Sequence, residues 1–312
     1  MRIFFACDLH GSTAAWNKAM TACIYYKPDI IMLCGDLTGK ALVPIVKYNE
    51  GEWYCSLMNR KEILHSNKEV EKLMNELSFK GIYAFETTRE ELEDLKESNK
   101  KVEELFLKLE KERLERWLEI ARERLPRGIK LIVSPGNDDD FRLDSVIKND
   151  DFAIYPLNNV IQLDDEYQLI SCEWVNPTPW NTPRECNEKE LRKRLENEFS
   201  KVDECNTLIC NIHVPPYNTH LDVAPKLDNE QKVVIKAGRV LMDHVGSISV
   251  REILEERQPL LSLHGHIHES CGFSKIKRTL CLNPGSEYTQ GILRGYLIQL
   301  SGEKIDFWRT EL

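Results

Sequence analysis

Residues 3–10 read Ile3-Phe4-Phe5-Ala6-Cys7-Asp8-Leu9-His10, a short apolar run that ends in a carboxylate and an imidazole. The same grammar returns four times. Ile30-Ile31-Met32-Leu33 leads to Gly35-Asp36, and Leu131-Ile132-Val133 leads to Gly136-Asn137-Asp138. Leu208-Ile209-Cys210 leads to His213, and Leu260-Leu261-Ser262-Leu263 leads to Gly265-His266-Ile267-His268. Apolar runs of this length, bounded by turn residues, read as buried strands. An open α/β sheet presents chemistry in the crevice beyond the carboxyl ends of its strands. Five polar clusters at five strand ends therefore read as one site assembled from distant parts of the chain. Packing alone gives no reason for the repetition.

The residue types suit a pair of divalent cations. Two such ions about 3.5–4 Å apart need a shared ligand, hard oxygens, neutral imidazoles and an open position for water. Asp8 and His10 lie two apart, so an extended strand end can turn both to one side, and a short turn serves equally. Gly35 lets the backbone bend and bring Asp36 between two ions. Asn137 follows the turn signal Pro135-Gly136 and offers a side-chain carbonyl that ligates without adding charge. His266 and His268 can each reach one ion. Nitrogen and oxygen donors without a thiolate favour Mn, with Fe, Zn, Co or Ni as alternatives, over Ca.

In this order, from position 8 to position 268, the five blocks resemble the calcineurin-like metallophosphoesterase superfamily, whose pattern runs D-x-H, G-D, G-N, a single H and G-H-x-H. The likeness is to its small bacterial and archaeal branch, which lacks the histidine after the G-N pair. The resemblance implies an α/β fold, a four-layer α-β-β-α sandwich of two mixed sheets. It implies that Asp8, His10, Asp36 and His268 hold a first metal, and that Asp36, Asn137, His213 and His266 hold a second, with Asp36 bridging. The expected activity is hydrolysis of a phosphomonoester or phosphodiester by in-line attack of a hydroxide bridging the two ions, with Asp36, Asn137 and Asp138 at the reaction centre. Many relatives carry a histidine where this chain has Asp138. A carboxylic acid can protonate a departing alcohol there only if burial or neighbouring charge raises its pKa; otherwise activated esters are favoured. Leu282-Asn283-Pro284-Gly285-Ser286 also looks like a turn found near the end of smaller members.

Composition narrows the setting. A chain of 312 residues, 42% hydrophobic and 30% charged, suits a folded globule with one sizeable core and an insertion. No apolar run approaches the roughly 18–20 residues that span a bilayer. Met1-Arg2 feeds directly into the first strand, so no signal peptide fits. Ten cysteines without C-x-x-C spacing read as buried thiols in a reducing cytoplasm. A net charge of −9 favours a small phosphorylated or nucleotide-like substrate over long nucleic acid. A nuclease and a non-catalytic scaffold that keeps the fold are the alternatives. His264, inside an apolar run, reads as a core or supporting residue, and His65, His220 and His244 fit no block.

The metallophosphoesterase domain is expected over 1–39 and 127–312, with a helical insertion over 40–126. From Thr87-Thr88-Arg89-Glu90, an S/T-x-x-E start signal, one helix should run to Leu125-Pro126, a reach on the order of 55 Å. Its stripes, Val102-Leu105-Phe106-Leu109 and Leu114-Trp117-Leu118-Ala121-Leu125, are slightly out of phase. The insertion leaves after Asp36 and returns before Asn137, so it reads as a cap over the pocket or a self-association arm giving a homo-oligomer. A face packed on its own domain is the plainer reading. Trp53, Tyr54 and Tyr83 are candidates for an apolar wall. A charged helix over 187–202, a long loop over 215–231 and antiparallel strands from Gly272 onward complete the expected plan.

Overall fold

The computed structural model describes residues 1–57, 60–228 and 230–312, so the expected insertion and the 215–231 loop each contain positions outside the described residues. The chain begins with β1 (Arg2–Ala6), α1 (Thr13–Tyr26) and β2 (Ile30–Cys34). The insertion then supplies β3 (Ala41–Asn49), β4 (Glu52–Leu57), β5 (Arg60–Leu64), α2 (Asn67–Phe79), β6 (Ile82–Thr88), α3 (Arg89–Lys96) and α4 (Asn99–Arg124). Next come β7 (Lys130–Ser134), α5 (Asp144–Lys148), β8 (Ala153–Ile154), β9 (Ile161–Gln162), β10 (Gln168–Cys172), α6 (Glu188–Phe199) and β11 (Leu208–Ile212). Four short strands follow: β12 (Val223–Pro225), β13 (Ile235–Lys236), β14 (Arg239–Val240) and β15 (Met242–His244). The chain closes with α7 (Ile248–Arg257), β16 (Leu261–Leu263), β17 (Gly272–Ile276), β18 (Thr279–Asn283), β19 (Arg294–Ser301) and β20 (Lys304–Glu311).

Two six-stranded mixed sheets carry the fold, ordered β20-β19-β1-β2-β7-β8 and β17-β18-β16-β11-β10-β9. In the first, β1, β2, β7 and β8 run parallel; in the second, β10, β11, β16 and β18 do. Parallel strands bring their carboxyl ends to one edge, which is why the five polar clusters meet. Successive side chains alternate faces. Ile3 and Phe5 join Ile209, Leu261 and Leu282 in a core between the sheets. Phe4 and Ala6 turn the other way, toward Trp16, Trp117 and Leu143. Beyond the second sheet, Ile170, Cys210 and Ile212 pack against Leu195 and Phe199 of α6 and Ile253 of α7. The expected mixed α/β architecture is therefore present, with helices outside both sheets.

The insertion differs from the helical segment expected over 40–126. It contains a four-stranded sheet, β5-β4-β3-β6, whose Ile45, Trp53, Cys55 and Leu64 pack against Val70, Leu73 and Leu77 of α2. These strands are short and amphipathic, and Lys47, Lys61 and Glu62 on them are exposed. That mixture imitates the composition of a solvated helix. The expected single helix from Thr87 to Leu125 is two. Thr88 caps α3 in a capping box with Glu91, one residue later than the signal suggested, and Ser98 starts α4 by accepting from the Lys101 N–H. The phase slip between the two apolar stripes does not mark this break, because both stripes belong to α4.

The second stripe places α4 in the main core. Trp117 stacks on Trp16 of α1 with ring centroids 4.9 Å apart, and Leu114, Leu118 and Ala121 are buried beside it. At about 1.5 Å per residue the helix is on the order of 39 Å long. Trp53 lies in the insertion's own core, and Tyr54 pairs with Tyr48 on the insertion sheet. Tyr83 is buried beneath the Arg113 guanidinium, 3.8 Å from the ring centroid. Trp53 and Tyr54 thus pack within the insertion, in place of the wall expected of them, whereas the Tyr83 hydroxyl accepts from Gly39 N–H at 3.4 Å at the root of the insertion. All ten cysteines are free. Among the described residues, no helix is long and apolar enough to cross a membrane.

Candidate metal centre

Three loops from the first sheet are laced together by their backbones. Asp8 N–H donates to Gly35 O at 3.1 Å, His10 N–H to Asp36 O at 2.9 Å, and Gly35 N–H to Ser134 O at 2.8 Å. Within the second sheet Gly265 N–H donates to His213 O at 2.9 Å, and that sheet joins the first through His266 N–H, which donates to the Asp8 carboxylate at 3.1 Å. Asp8, His10, Asp36 and His266 all have positive φ, between 37° and 66°. Such backbone costs residues other than glycine about 1 kcal/mol or more apiece, so it persists only where surroundings impose it. Two glycines are required by close approach. A Cβ on Gly35 would overlap the His213 ring, and one on Gly136 would overlap the Asp36 carboxylate and backbone.

The side chains converge as two clusters of the expected ligands, with a third, overlapping group formed by His10, Asp36 and Asp138. Asp8, His10 and His268 offer ligand atoms within 4.8 Å of one another, and so do Asp36, His213 and His266. His10 Nε2 lies 3.1 Å from His268 Nε2 and 3.6 Å from Asp36 Oδ2. His213 Nε2 lies 3.4 Å from Asp36 Oδ1, 3.0 Å from Asn137 Oδ1 and 3.8 Å from Asp8 Oδ1. Asn137 Nδ2 donates to Thr182 Oγ1 at 2.8 Å, which turns the amide oxygen toward His213. All seven residues expected as ligands are thus brought to one place. Asp8 caps no helix: Ser12 caps α1, while both Asp8 oxygens accept from the His266 N–H at 3.1 Å.

The electrostatics suit cations. Burial pushes the carboxyl of Asp36 upward, but His213, His10 and the Asp138 N–H outweigh it and hold Asp36 well below its ordinary range. Burial likewise opposes ionisation of Asp8, and His268 and His213 still bring its pKa down. Burial lowers His10 to about 4 and His266 to about 3, leaving both imidazoles neutral, the form that ligates. Against burial, Asp36 and Asp8 draw His213 up to about 9, so the carboxylates gather positive charge at the centre of the site. Four imidazoles, two ionised carboxylates and an amide oxygen form a donor set that fits two borderline or hard divalent ions.

Asp138 is also at the site. Its N–H donates to Asp36 Oδ1 at 2.9 Å, its carboxylate lies 3.9 Å from His10 Nδ1, and it forms an ion pair with Lys40. Burial, then the Asp36 charge, raises it to about 7. Lys40 escapes sequence reading, because a lysine in Thr38-Gly39-Lys40 has no signature spacing. Tyr288, whose ring centroid lies 4.7 Å from that of His10, escapes it too. Asp139 accepts from the N–H groups of Leu37, Thr38 and Gly136 at 2.8–2.9 Å and so ties the Asp36 loop to the Asn137 loop. Fully buried Arg184 donates to Asp139 O and pairs with Asp144 at 2.6 Å. The turn at Leu282–Ser286 holds the site: Ser286 Oγ donates to Asp8 O at 2.7 Å, and Asn283 Nδ2 donates to Ile267 O at 3.0 Å.

The remaining histidines stand apart. His264 is buried, its Nδ1 2.8 Å from Ile212 O, as a supporting core residue should be. His65 faces Glu52, His220 is exposed, and His244 pairs with Asp222 at 2.8 Å.

The sequence matches the family model described as calcineurin-like phosphoesterase over residues 1–270. An uncharacterized protein, MJ1162 of Methanocaldococcus jannaschii, is 30% identical over 162 residues, 50% of this chain and 64% of that protein. The chain thus spans less than two thirds of that relative's length. Among solved structures, TT1561 of Thermus thermophilus superposes with a TM-score of 0.54 at 14% identity, covering 98% of this chain and 97% of that one. Another crystal structure gives 0.60 at 15% identity, covering 99% and 98%. At these identities the structural likeness shows the fold.

Proposed function

Because the chain belongs to the calcineurin-like phosphoesterase family, we propose that it is a dinuclear metal-dependent hydrolase of phosphomonoesters or phosphodiesters. One observation carries this reading. Asp36 divides its carboxylate between the clusters, with Oδ2 toward His10 at 3.6 Å and Oδ1 toward His213 at 3.4 Å. Asp8, His10, Asp36 and His268 are assigned to one ion, and Asp36, Asn137, His213 and His266 to the other, with manganese the preferred metal. When bound, such a pair supplies positive charge to a phosphoryl oxygen and lowers the pKa of water.

The protein's own contribution is positioning. Thr38 O, 3.3 Å from His10 Nδ1, favours a proton on that nitrogen and leaves Nε2 as the donor toward the cluster. Thr182 fixes the Asn137 amide in the same way. Lys40 and Asp138 form the charged pair that stands where many relatives have histidine. The Lys40 ammonium attracts the anionic ester, and Asp138, which burial and the Asp36 charge raise to about 7, is the proton carrier assigned to the leaving oxygen. A small phosphorylated substrate accords with the net charge of −9.

The test is a panel of nitrophenyl phosphate mono- and diesters with manganese-loaded protein, alongside measured metal content. Hydrolysis should require the metal, and Asp36→Asn should lose both activity and metal, activity by at least about a hundredfold. Zero hydrolysis by metal-loaded protein, with unchanged behaviour in Asp36→Asn, would leave a non-catalytic binding protein as the better account.

A further inference from the structure

A cleft of about 420 Å³ opens beside the metal centre and shares His266 with it. One wall comes from the Pro/Trp-rich segment after β10, with Pro177 and Trp180. The β12–β15 excursion contributes Leu227 and Val233 to the lining, and Ile267 lines the cleft together with His266. Trp180 is 63% exposed and Val233 45% exposed, so large apolar surfaces from both segments stand in water along one concavity. Isolated exposed apolar residues need no explanation, but facing ones around a cleft mark a binding site.

The cleft is also built. Glu185 accepts from Thr178 N–H at 2.9 Å, Thr178 Oγ1 at 2.6 Å, Thr182 N–H at 2.7 Å and Thr182 Oγ1 at 2.6 Å, which rigidifies the Trp180 loop. Thr182 in turn accepts from Asn137 Nδ2, so the segment that forms the cleft wall also orients a metal-site amide. The two lips are clasped by Gln231 Nε2, which donates to Pro179 O at 3.0 Å, and by Asn176 Nδ2, which donates to Val245 O at 3.2 Å. Lys226 and Asp243, paired at 3.1 Å, supply a polar edge. Apolar walls with a few placed polar groups, at this volume, are the usual composition of a small-molecule site.

We propose that this cleft is a specificity subsite that takes a flat, apolar group of the substrate, an aryl or nucleobase-sized ring, while the phosphate lies at the Asp36 clusters. The proposal rests on the phosphoesterase reading for the position of the phosphate and extends it to the organic part of the ester. His266 fixes the geometry, since one residue belongs to both the centre and the cleft. A volume of this size holds one ring system and not a run of polymer, which separates the proposal from a nuclease groove. Burying a ring there should add a decade or more in affinity.

The experiment compares methylphosphonate with naphthylmethyl phosphonate, neither of which is hydrolysed, on full-length manganese-loaded protein. Naphthylmethanol is titrated separately with and without metal. Binding is read from inhibition of nitrophenyl phosphate hydrolysis, and independently from the fluorescence signal lost in Trp180→Phe. The naphthyl phosphonate should bind at least about tenfold more tightly than the methyl compound, and naphthylmethanol should quench Trp180 even without metal. Trp180→Ala and Val233→Asp, both at exposed positions, should each shrink the ratio to below about threefold, and Trp308→Phe, exposed elsewhere, should leave it intact. Equal affinities in the unmodified protein, or a ratio that survives both variants, would overturn the subsite. Naphthyl binding with Trp180 quenching but no hydrolysis of any ester would uphold the cleft and remove the phosphoesterase reading. Hydrolysis with equal phosphonate affinities would do the reverse.

Discussion

Asp8, His10, Asp36 and His266 hold left-handed backbone at the places where their side chains converge, so the site stores strain that neighbouring loops must restrain. Gly35 is the most exacting of those neighbours. Its φ of +88° and its contact with the His213 ring leave no room for a Cβ. Gly35→Ala should cost about 2–4 kcal/mol and lower metal affinity together with stability, as thermal melts and metal titration would show. Glu110 gives a pH-dependent prediction. Burial, then the nearby Asp139 charge, raises it from 4.5 to about 8 in the fold. An acid whose folded pKa lies above its unfolded value loses stability as pH rises from the unfolded pKa through the folded one. Glu110→Gln should therefore match the parent below about pH 4.5. It should exceed the parent by roughly 2–4 kcal/mol near pH 8 in denaturant unfolding. A difference that stays constant with pH would refute the assignment.

At the scale of elements, α4 belongs to two structures. Phe106 of its first half meets Tyr83 of the insertion edge-on with ring centroids 5.4 Å apart, Arg113 near its middle donates to Gly11 O of the main domain and Ile82 O of the insertion at 2.9 Å, and its second half fills the main core against α1. Trp117→Ala should accordingly destabilise the whole protein by about 3–5 kcal/mol, in one unfolding transition seen by both calorimetry and circular dichroism. Leu77→Ala, in the insertion's separate core, should cost about 2–4 kcal/mol. The strands that end at the site were legible because each is an apolar run buried on both faces and stopped by turn residues. β3 to β6 were not, since a strand with one solvated face mixes charged and aromatic residues much as a surface helix does. The α3–α4 break was hidden because Glu97-Ser98 sits among strong helix formers, and only the Ser98 cap marks it. Lys40 on Asp138 and Arg184 on Asp144 escaped notice for another reason: their pairing is set by tertiary approach, which no local spacing records.

For the molecule as a whole, two sheets and their outer helices serve to bring residues from position 8 to position 268 onto one edge, where Asp36 faces both clusters. The insertion leaves and rejoins the chain at that edge, and the cleft bounded by Trp180 adjoins it. This convergence should bind two cations at once. Anomalous diffraction from crystals of the manganese-loaded protein would locate both ions. Two peaks are expected about 3.5–4 Å apart, one on each side of the Asp36 carboxylate, with Asp8, His10 and His268 around one and Asn137, His213 and His266 around the other. A single peak, or manganese bound away from Asp36, would contradict a two-cation centre.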